Sequence, residues 1–292
     1  MARRAARQLT DGMTQNRAHA QDMTVVVTGA SGRTGRRVAE AARAAGLTVR
    51  AASRARGFDW EDPAGWAEVL RGADAAYLVH PSDIGAPSAA EVLGAFAREA
   101  AELGVRRLVL LSSRGEERAL PAEEAVRESG AAWTVVRAAW FAQNFSEGPL
   151  VAELQHGGLV FPAGEVREPF VDVRDIAEVV VAALTAGERH AGRTIEVSGP
   201  RLLSFREAVA EIAEATGARL AYTPVTARAY GDRLAGFGVP PEEAEFLVEL
   251  FGSLLDGRNA YLSDGVRRVL GREPRDFADF AREGAAAAVW KA

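Results

Sequence analysis

Hydrophobic positions in this chain fall into short unbroken runs, separated by longer stretches in which alanine and charged residues alternate with a helical period. TVVVT (24–28) is an uninterrupted β-branched run, the pattern of a strand covered on both faces. RTGRRVAEAARAAG (33–46) repeats its apolar positions every three or four residues and closes on glycine, as a helix does. The alternation continues, with strands expected at 47–53, 75–80, 106–113 and 132–138 and helices at 63–72, 88–104 and 122–130. It loosens beyond 138. Strands are expected at 168–173 and 193–199 around a helix at 174–187, and another helix near 240–257. SFREAVAEIAEATG (204–217) begins with Ser and carries Glu three residues later, the spacing of a capping box. Strand–helix–strand units of this length imply right-handed crossovers and a parallel sheet with helices on both faces. The expected fold is α/β, a Rossmann-type doubly wound parallel sheet with a smaller, mostly helical C-terminal substrate lobe. That lobe is drawn mainly from about 148–168 and 201–292 of a single domain spanning 23–292, over the carboxyl edge of the sheet, where open α/β sheets bind ligands.

Composition narrows the chemistry. The 292 residues include no cysteine, which excludes disulfides, thiolate metal sites and cysteine nucleophiles. The four histidines are far apart and form no metal-binding pair, so no metal is expected. No stretch is long and apolar enough for a membrane span, and a net charge of −5 argues against a nucleic-acid partner. Residues 1–22 are Arg-rich, lack the apolar core of a secretion signal, and read as a non-catalytic extension. A cytoplasmic protein acting on a small molecule is expected. Lys291 is the only lysine, so a mechanism built on a buried lysine is excluded unless the penultimate residue supplies it.

The strongest motif is TGASGRTG, which places Gly29, Gly32 and Gly35 as G-x-x-G-x-x-G between the first strand and the first helix. Glycines at this spacing allow a tight turn, a close backbone approach to a pyrophosphate, and close packing of helix on strand. The helix amino terminus offers free N–H groups to the phosphates. Gly29, Ser31, Gly32, Arg33, Thr34 and Gly35 are therefore candidate dinucleotide contacts. At the end of the second strand, where NAD binders place an acid, the chain reads RAASRAR (50–56) with no carboxylate. Ser53 and Arg54 are positioned to hold a 2′-phosphate, and NADP(H) is preferred over NAD(H).

These segments together resemble the NmrA-like, atypical short-chain dehydrogenase/reductases, from about Met23 to the C-terminus. TGASGRTG is similar to the family's glycine turn. FDWEDP (58–63) resembles its segment beside the adenine, which would give that role to Asp59 and Trp60. LVHPS (78–82) and LLSSRGEE (110–117) match its third and fourth strand ends, which adds His80 and Ser112 as cofactor contacts. WTVVRAAWFAQNF (133–145) and FVDVRDIAEVVVAAL (170–184) resemble two further family stretches. The resemblance implies the fold and a nicotinamide cofactor. It constrains the reaction less, because quinone reductases, imine or enone reductases and redox-sensing regulators share the family fold.

Short-chain dehydrogenases generally use Ser, Tyr and Lys, the last two as Y-x-x-x-K. Ser113 stands where the serine would, but residues 114–137 contain neither tyrosine nor lysine. His80 is a substitute proton donor to weigh, against a packed histidine. Tyr222 and Tyr230 are others, against simple packing. Trp140, Phe141, Asn144 and Phe170, with Ser113, are the candidate substrate contacts, and Phe145 joins them in an aromatic wall suited to a flat acceptor; the alternative is that these aromatics are core. The expectation is an NADPH-dependent reductase of a readily reduced quinone, imine or enone, working without a Tyr–Lys relay. The alternatives are a non-catalytic NADP(H)-sensing regulator with a protein partner, or a non-redox isomerase or cyclase.

Overall fold

The computed structural model describes residues 23–291; the extension at 1–22 lies outside the described residues. Its strands in chain order are β1 (Thr24–Thr28), β2 (Thr48–Ala52), β3 (Ala75–Leu78), β4 (Arg107–Ser113), β5 (Ala132–Ala138), β6 (Gly158–Phe161), β7 (Arg167–Glu168), β8 (Arg193–Val197), β9 (Leu203–Ser204) and β10 (Ala221–Pro224). Six of them form one sheet in the order β2-β1-β3-β4-β5-β8. β1 pairs parallel to β2 on one side and to β3 on the other, and β3 pairs parallel to β4. The strand order reverses between β1 and β3, the position at which doubly wound sheets open a crevice for ligands. This is the Rossmann-type α/β architecture expected from the alternation of runs.

By packing, the chain divides into two compact units. The first runs to Ser112 and includes Arg118–Val136 and Ala177–Ile195; the second comprises Ser113–Glu117, Arg137–Ile176 and the chain from Glu196 onward.

In the first unit, α1 (Arg33–Ala44) turns Val38, Ala39 and Ala42 inward. Val25, Val26 and Val27 of β1 are wholly buried, which explains why their run is unbroken rather than alternating. Each such valine contributes roughly 1.5–3 kcal/mol of burial. α2 (Trp66–Leu70) and α3 (Ala89–Glu102) complete this core. Phe58, Trp60, Trp66 and Phe96 meet there largely edge to face, with ring centroids 5.0–6.2 Å apart. α4 (Leu120–Arg127) follows β4.

The second unit holds α5 (Pro149–Gln155) and a two-stranded parallel pair of β6 with β10. β7 and β9 form an antiparallel pair in which Glu168 faces Leu203. α6 (Val173–Thr185) leads out of this unit into the first. α7 (Phe205–Thr216) starts with the expected capping box: Ser204 Oγ accepts from the Glu207 N–H at 3.1 Å, and Glu207 Oε2 accepts from the Ser204 N–H at 2.7 Å. α8 (Ala227–Gly236), α9 (Pro241–Leu254), α10 (Gly265–Leu270) and α11 (Phe277–Ala286) complete the unit. Phe145, Phe161, Phe170, Phe205 and Phe277 form the centre of its core. Arg201 joins α7 to the start of α11 through Glu211 and Asp276.

One expected strand is corrected. Residues 168–173 do not run as one: pairing stops at Glu168, because Pro169 has no N–H to continue a ladder. Val171 makes only an isolated bridge to Phe141, and α6 begins at Val173. The acids of the V-D-x-x-D motif anchor that helix start. Asp172 accepts from Gln143 Nε2 at 3.0 Å and from the Arg174 backbone N–H and guanidinium, while Asp175 pairs with Arg272 and Arg275. Burial works to raise the Asp172 carboxyl, but its Arg174 contacts outweigh burial and hold it below the ordinary carboxylate range.

Candidate functional site

The glycine turn sits where β1 and β3 part. Thr28 closes that gap: its hydroxyl donates to Tyr77 O at 3.0 Å and accepts from the Val79 N–H at 3.0 Å. Gly29 then takes a left-handed conformation, φ +59°, against Val79, and Gly32 N–H closes the turn on Gly29 O at 2.8 Å. A Cβ on Gly35 would fall 2.2 Å from Gly29 O, so only glycine lets α1 begin this close to the strand. Gly32 is exposed at the N-cap of α1, with no side-chain cap and no acid in the first turn. The helix therefore presents uncapped N–H groups and its positive dipole end to solvent, the environment a pyrophosphate needs. A dinucleotide fits this turn.

Ser31 is exposed in the turn. Thr34, by contrast, is buried, and its Oγ1 accepts from the Tyr77 hydroxyl at 3.0 Å, holding α1 to β3; burial pushes that tyrosine's pKa up. Arg33 is half-buried and gives its carbonyl to Arg37 Nη1 at 2.9 Å.

Beside the turn lies a cavity of about 310 Å³, lined by Ala30 and Ser31, by Arg36, Glu40 and Arg43 of α1, and by Ser53 and Arg56 after β2. Ser53 is thus brought to the turn as expected. Arg54 is exposed but does not line the cavity; Arg56, two residues on, does. Three arginines against one glutamate give this lining an excess of positive charge. Asp59 is exposed, while Trp60 is spent on the aromatic core of the first unit and retains 8% of its surface. The ring is edge-packed against Phe58 and Trp66.

His80, just past β3, is buried, with Nδ1 3.2 Å from Ser82 Oγ. Burial lowers its pKa from the ordinary histidine value, opposed by Asp83, which favours the neutral imidazole. Ser112 is also committed: its hydroxyl donates to Glu123 Oε1 at 2.7 Å, and Glu123, fully buried, pairs with Arg127 at 2.9 Å. Ser113, half-buried at the end of β4, forms no side-chain hydrogen bond among the described residues.

In the second unit, Trp140, Phe141 and Asn144 are all half-buried. The segment is tied to Val171 by Val171 N–H to Trp140 O, 2.9 Å, and Ala142 N–H to Val171 O, 2.9 Å. Trp140 Nε1 is buried without a hydrogen-bond partner among the described residues. Phe170 is 2% exposed, between Phe145, Phe205 and Phe277. Tyr222 and Tyr230 are packing residues too. The Tyr222 hydroxyl donates to Gly164 O at 3.1 Å, Tyr230 lies against Phe161 and Phe251, and burial pushes both pKa values up to about 12. Among the described residues there is no cluster of acids and histidines able to hold a metal, and no helix is long and apolar enough to cross a membrane.

The NmrA-like family pattern matches residues 21–261. The chain belongs to the NmrA-like family. Among NmrA-like and related proteins it is 31% identical to an NAD(P)H azoreductase of Xenophilus azovorans, covering 86% of this chain and 88% of that one. It is 34% identical to a (4-alkanoyl-5-oxo-2,5-dihydrofuran-3-yl)methyl phosphate reductase of Streptomyces griseus, covering 90% and 98%. In fold it is similar to an NADPH-dependent quinone oxidoreductase of Escherichia coli, solved with NADPH, at a TM-score of 0.73 and 20% identity over 89% of this chain and 99% of the other.

Two features of this NmrA-like chain escape a reading of its sequence. Arg36, Arg43 and Arg56 line the cavity, yet in so Arg-rich a chain nothing local separates them from their neighbours. Glu168 and Arg114 are buried charges in the second unit, and no local pattern marks them.

Proposed function

We propose that this protein, an NAD(P)H-dependent oxidoreductase, draws on NADPH and reduces a small, flat, readily reduced acceptor, a quinone, imine or enone, without a Tyr–Lys proton relay. The observation that carries the reading is the uncapped start of α1 behind the exposed Gly32, beside a cavity lined by Arg36, Arg43 and Arg56. The turn residues Gly29, Ser31, Gly32, Arg33 and Gly35 hold the pyrophosphate, with α1 amides as donors. Ser53 and Arg56, helped by Arg36, take the 2′-phosphate by charge-assisted hydrogen bonds; no carboxylate at 50–56 repels it. When bound, the cofactor supplies a hydride. Trp140, Phe141 and Asn144 position the acceptor, and Ser113 offers its free hydroxyl to it. The absent Tyr–Lys pair favours acceptors whose reduced form is a stable anion or amine. The protein works in the cytoplasm on a small molecule, without nucleic acid or membrane.

The direct test is NADPH oxidation with a panel of quinones, imines and enones. At least one acceptor is expected to turn over; tight NADPH binding with no turnover would favour a sensor or a non-redox enzyme. Fluorescence titration checks the cofactor preference. Arg56→Glu is expected to weaken NADPH at least tenfold, about 1.4 kcal/mol, and to spare NADH, with Arg54→Glu having the smaller effect. Equal affinities for NADPH and NADH in the unaltered protein would refute the preference.

A further inference from the structure

The cavity beside the glycine turn is lined by residues of the first unit, and among the described residues Glu40 is the one carboxylate in that lining. Ala30 and Ser31 form its end at the turn, where the Ala30 N–H donates to Ala52 O at 3.3 Å and ties the turn to β2. Along α1 it is lined by Arg36, Glu40 and Arg43, at i, i+4 and i+7, a spacing that a helix sets on one face. Ser53 and Arg56 close the side that follows β2. On the reading above, a cofactor with its pyrophosphate at the turn brings the 2′ substituent of its adenosine ribose to this lining.

Glu40 is exposed, and its carboxylate forms no hydrogen bond or ion pair among the described residues; the same holds for the guanidinium groups of Arg43 and Arg56. Its negative charge is therefore not cancelled by a contact pair, and it acts through space on whatever enters the cavity. A ligand feels that charge in proportion to its own. The 2′-hydroxyl of NADH is neutral, whereas a phosphate monoester carries about −2 at neutral pH. Dinucleotide-binding folds discriminate the two forms with an acid near the end of the second strand. This chain has no acid at 50–56, and its cavity carries one on α1 instead. A contrary role, in which Glu40 holds Arg36 and Arg43 toward the ligand, would need ion pairs with both. Glu40 forms neither, and exposed pairs of that kind are weak.

We propose that Glu40 is a specificity-determining residue for the cofactor: it repels the 2′-phosphate of NADPH and leaves the binding of NADH nearly untouched, so that it restrains a preference which Arg36, Arg43 and Arg56 create. This rests on the placement of the 2′-phosphate in the cavity given under the proposed function. The discrimination between the two cofactors is then a balance struck across one lining, three cations against one anion, rather than the work of a single arginine. Because Glu40 is exposed, its share of that balance is carried through water and is sensitive to salt.

The test titrates the full chain by calorimetry with NADPH and NADH, and with adenosine 2′,5′-bisphosphate and 5′-AMP, which differ only in the 2′-phosphate. Glu40→Gln keeps the length of the side chain and an acceptor oxygen while removing the charge. It is expected to bind NADPH and the bisphosphate about fivefold more tightly at low salt, with NADH and AMP changed less than about twofold. At about 0.5 M salt the gain is expected to fall below about twofold, because charges are then screened within a few ångström. Glu40→Arg, which reverses the charge, is expected to give the larger gain, about tenfold. Both changes are on the exposed face of α1, so the melting temperature is expected to stay close to that of the unaltered protein. A merely structural role in α1 would shift all four ligands together and would not fade with salt. Arg56→Glu separates the two levels of the argument. If it weakens NADPH while Glu40→Gln leaves the bisphosphate unchanged or bound more weakly, the Glu40 assignment alone is overturned. If Arg56→Glu leaves NADPH affinity unchanged as well, the 2′-phosphate lies elsewhere, and the placement falls together with the role of Glu40.

Discussion

Gly35→Ala is expected to lower the melting temperature by roughly 10 °C, the equivalent of about 3 kcal/mol for a protein of this size. A single added Cβ would lie 2.2 Å from Gly29 O, 2.6 Å from Gly29 C and 2.9 Å from Thr28 O. These are backbone atoms of the turn and of the end of β1, so no side-chain rotation relieves the clash. α1 has to lift off the strand, which strains the hydrogen bond between Tyr77 and Thr34 and disturbs Val38, Ala39 and Ala42, the buried face of the helix. Alanine is otherwise the best helix former, so propensity alone forecasts a gain. Calorimetry separates the two: a melting temperature equal to or above that of the unaltered protein would mean that the helix does not need this close approach.

Gly32→Val is expected to have the opposite profile, with NADPH affinity reduced at least a hundredfold, about 2.7 kcal/mol, and stability nearly unchanged. Gly32 has extended backbone angles, φ −80° and ψ 177°, which a β-branched residue adopts readily. Its Cβ would meet one atom, Gly29 O, at 3.1 Å, a contact relieved by a small shift. The side chain would instead project into the exposed space over the first N–H groups of α1, where the phosphates belong. Isothermal titration of the folded variant is the check. Normal NADPH binding would show that the phosphates lie elsewhere. The glycine spacing already gives position 32 to the pyrophosphate and position 35 to the helix–strand contact; the packing around them adds how little room each has, 3.1 Å at Gly32 against 2.2 Å at Gly35.

The same division runs through the rest of the molecule. The βαβ alternation, the glycine turn and the capping box at Ser204 were all legible, because each is a local requirement: a strand covered on both faces, an amide left open, a donor satisfied within four residues. The absence of a tyrosine–lysine pair from 114–137 was equally legible, since it needs no coordinates. Residues 168–173 misled because their apolar pattern is that of a strand, while Pro169 ends the pairing and tertiary contacts start α6 at Val173. Helices such as α5, at seven residues, are too short for periodicity to announce.

Side-chain fates depended on partners far along the chain. Trp60 and Phe170 look alike as exposed-aromatic candidates, yet both are core, because Phe96 and Phe205 arrive from distant helices to cover them. Arg56 rather than Arg54 lines the cavity beside the turn, a matter of how the chain bends after β2. Sequence alone determined the fold class, the glycine turn and the absence of tyrosine and lysine from 114–137, because these follow from local backbone geometry and from residue types present or missing. Only the tertiary structure decided that Glu168 is a buried carboxyl under the influence of a buried arginine, Arg114. Lost hydration raises its proton affinity and Arg114, itself held by Asn259 145 residues further along the chain, lowers it; contacts between such distant residues leave no mark in the local pattern.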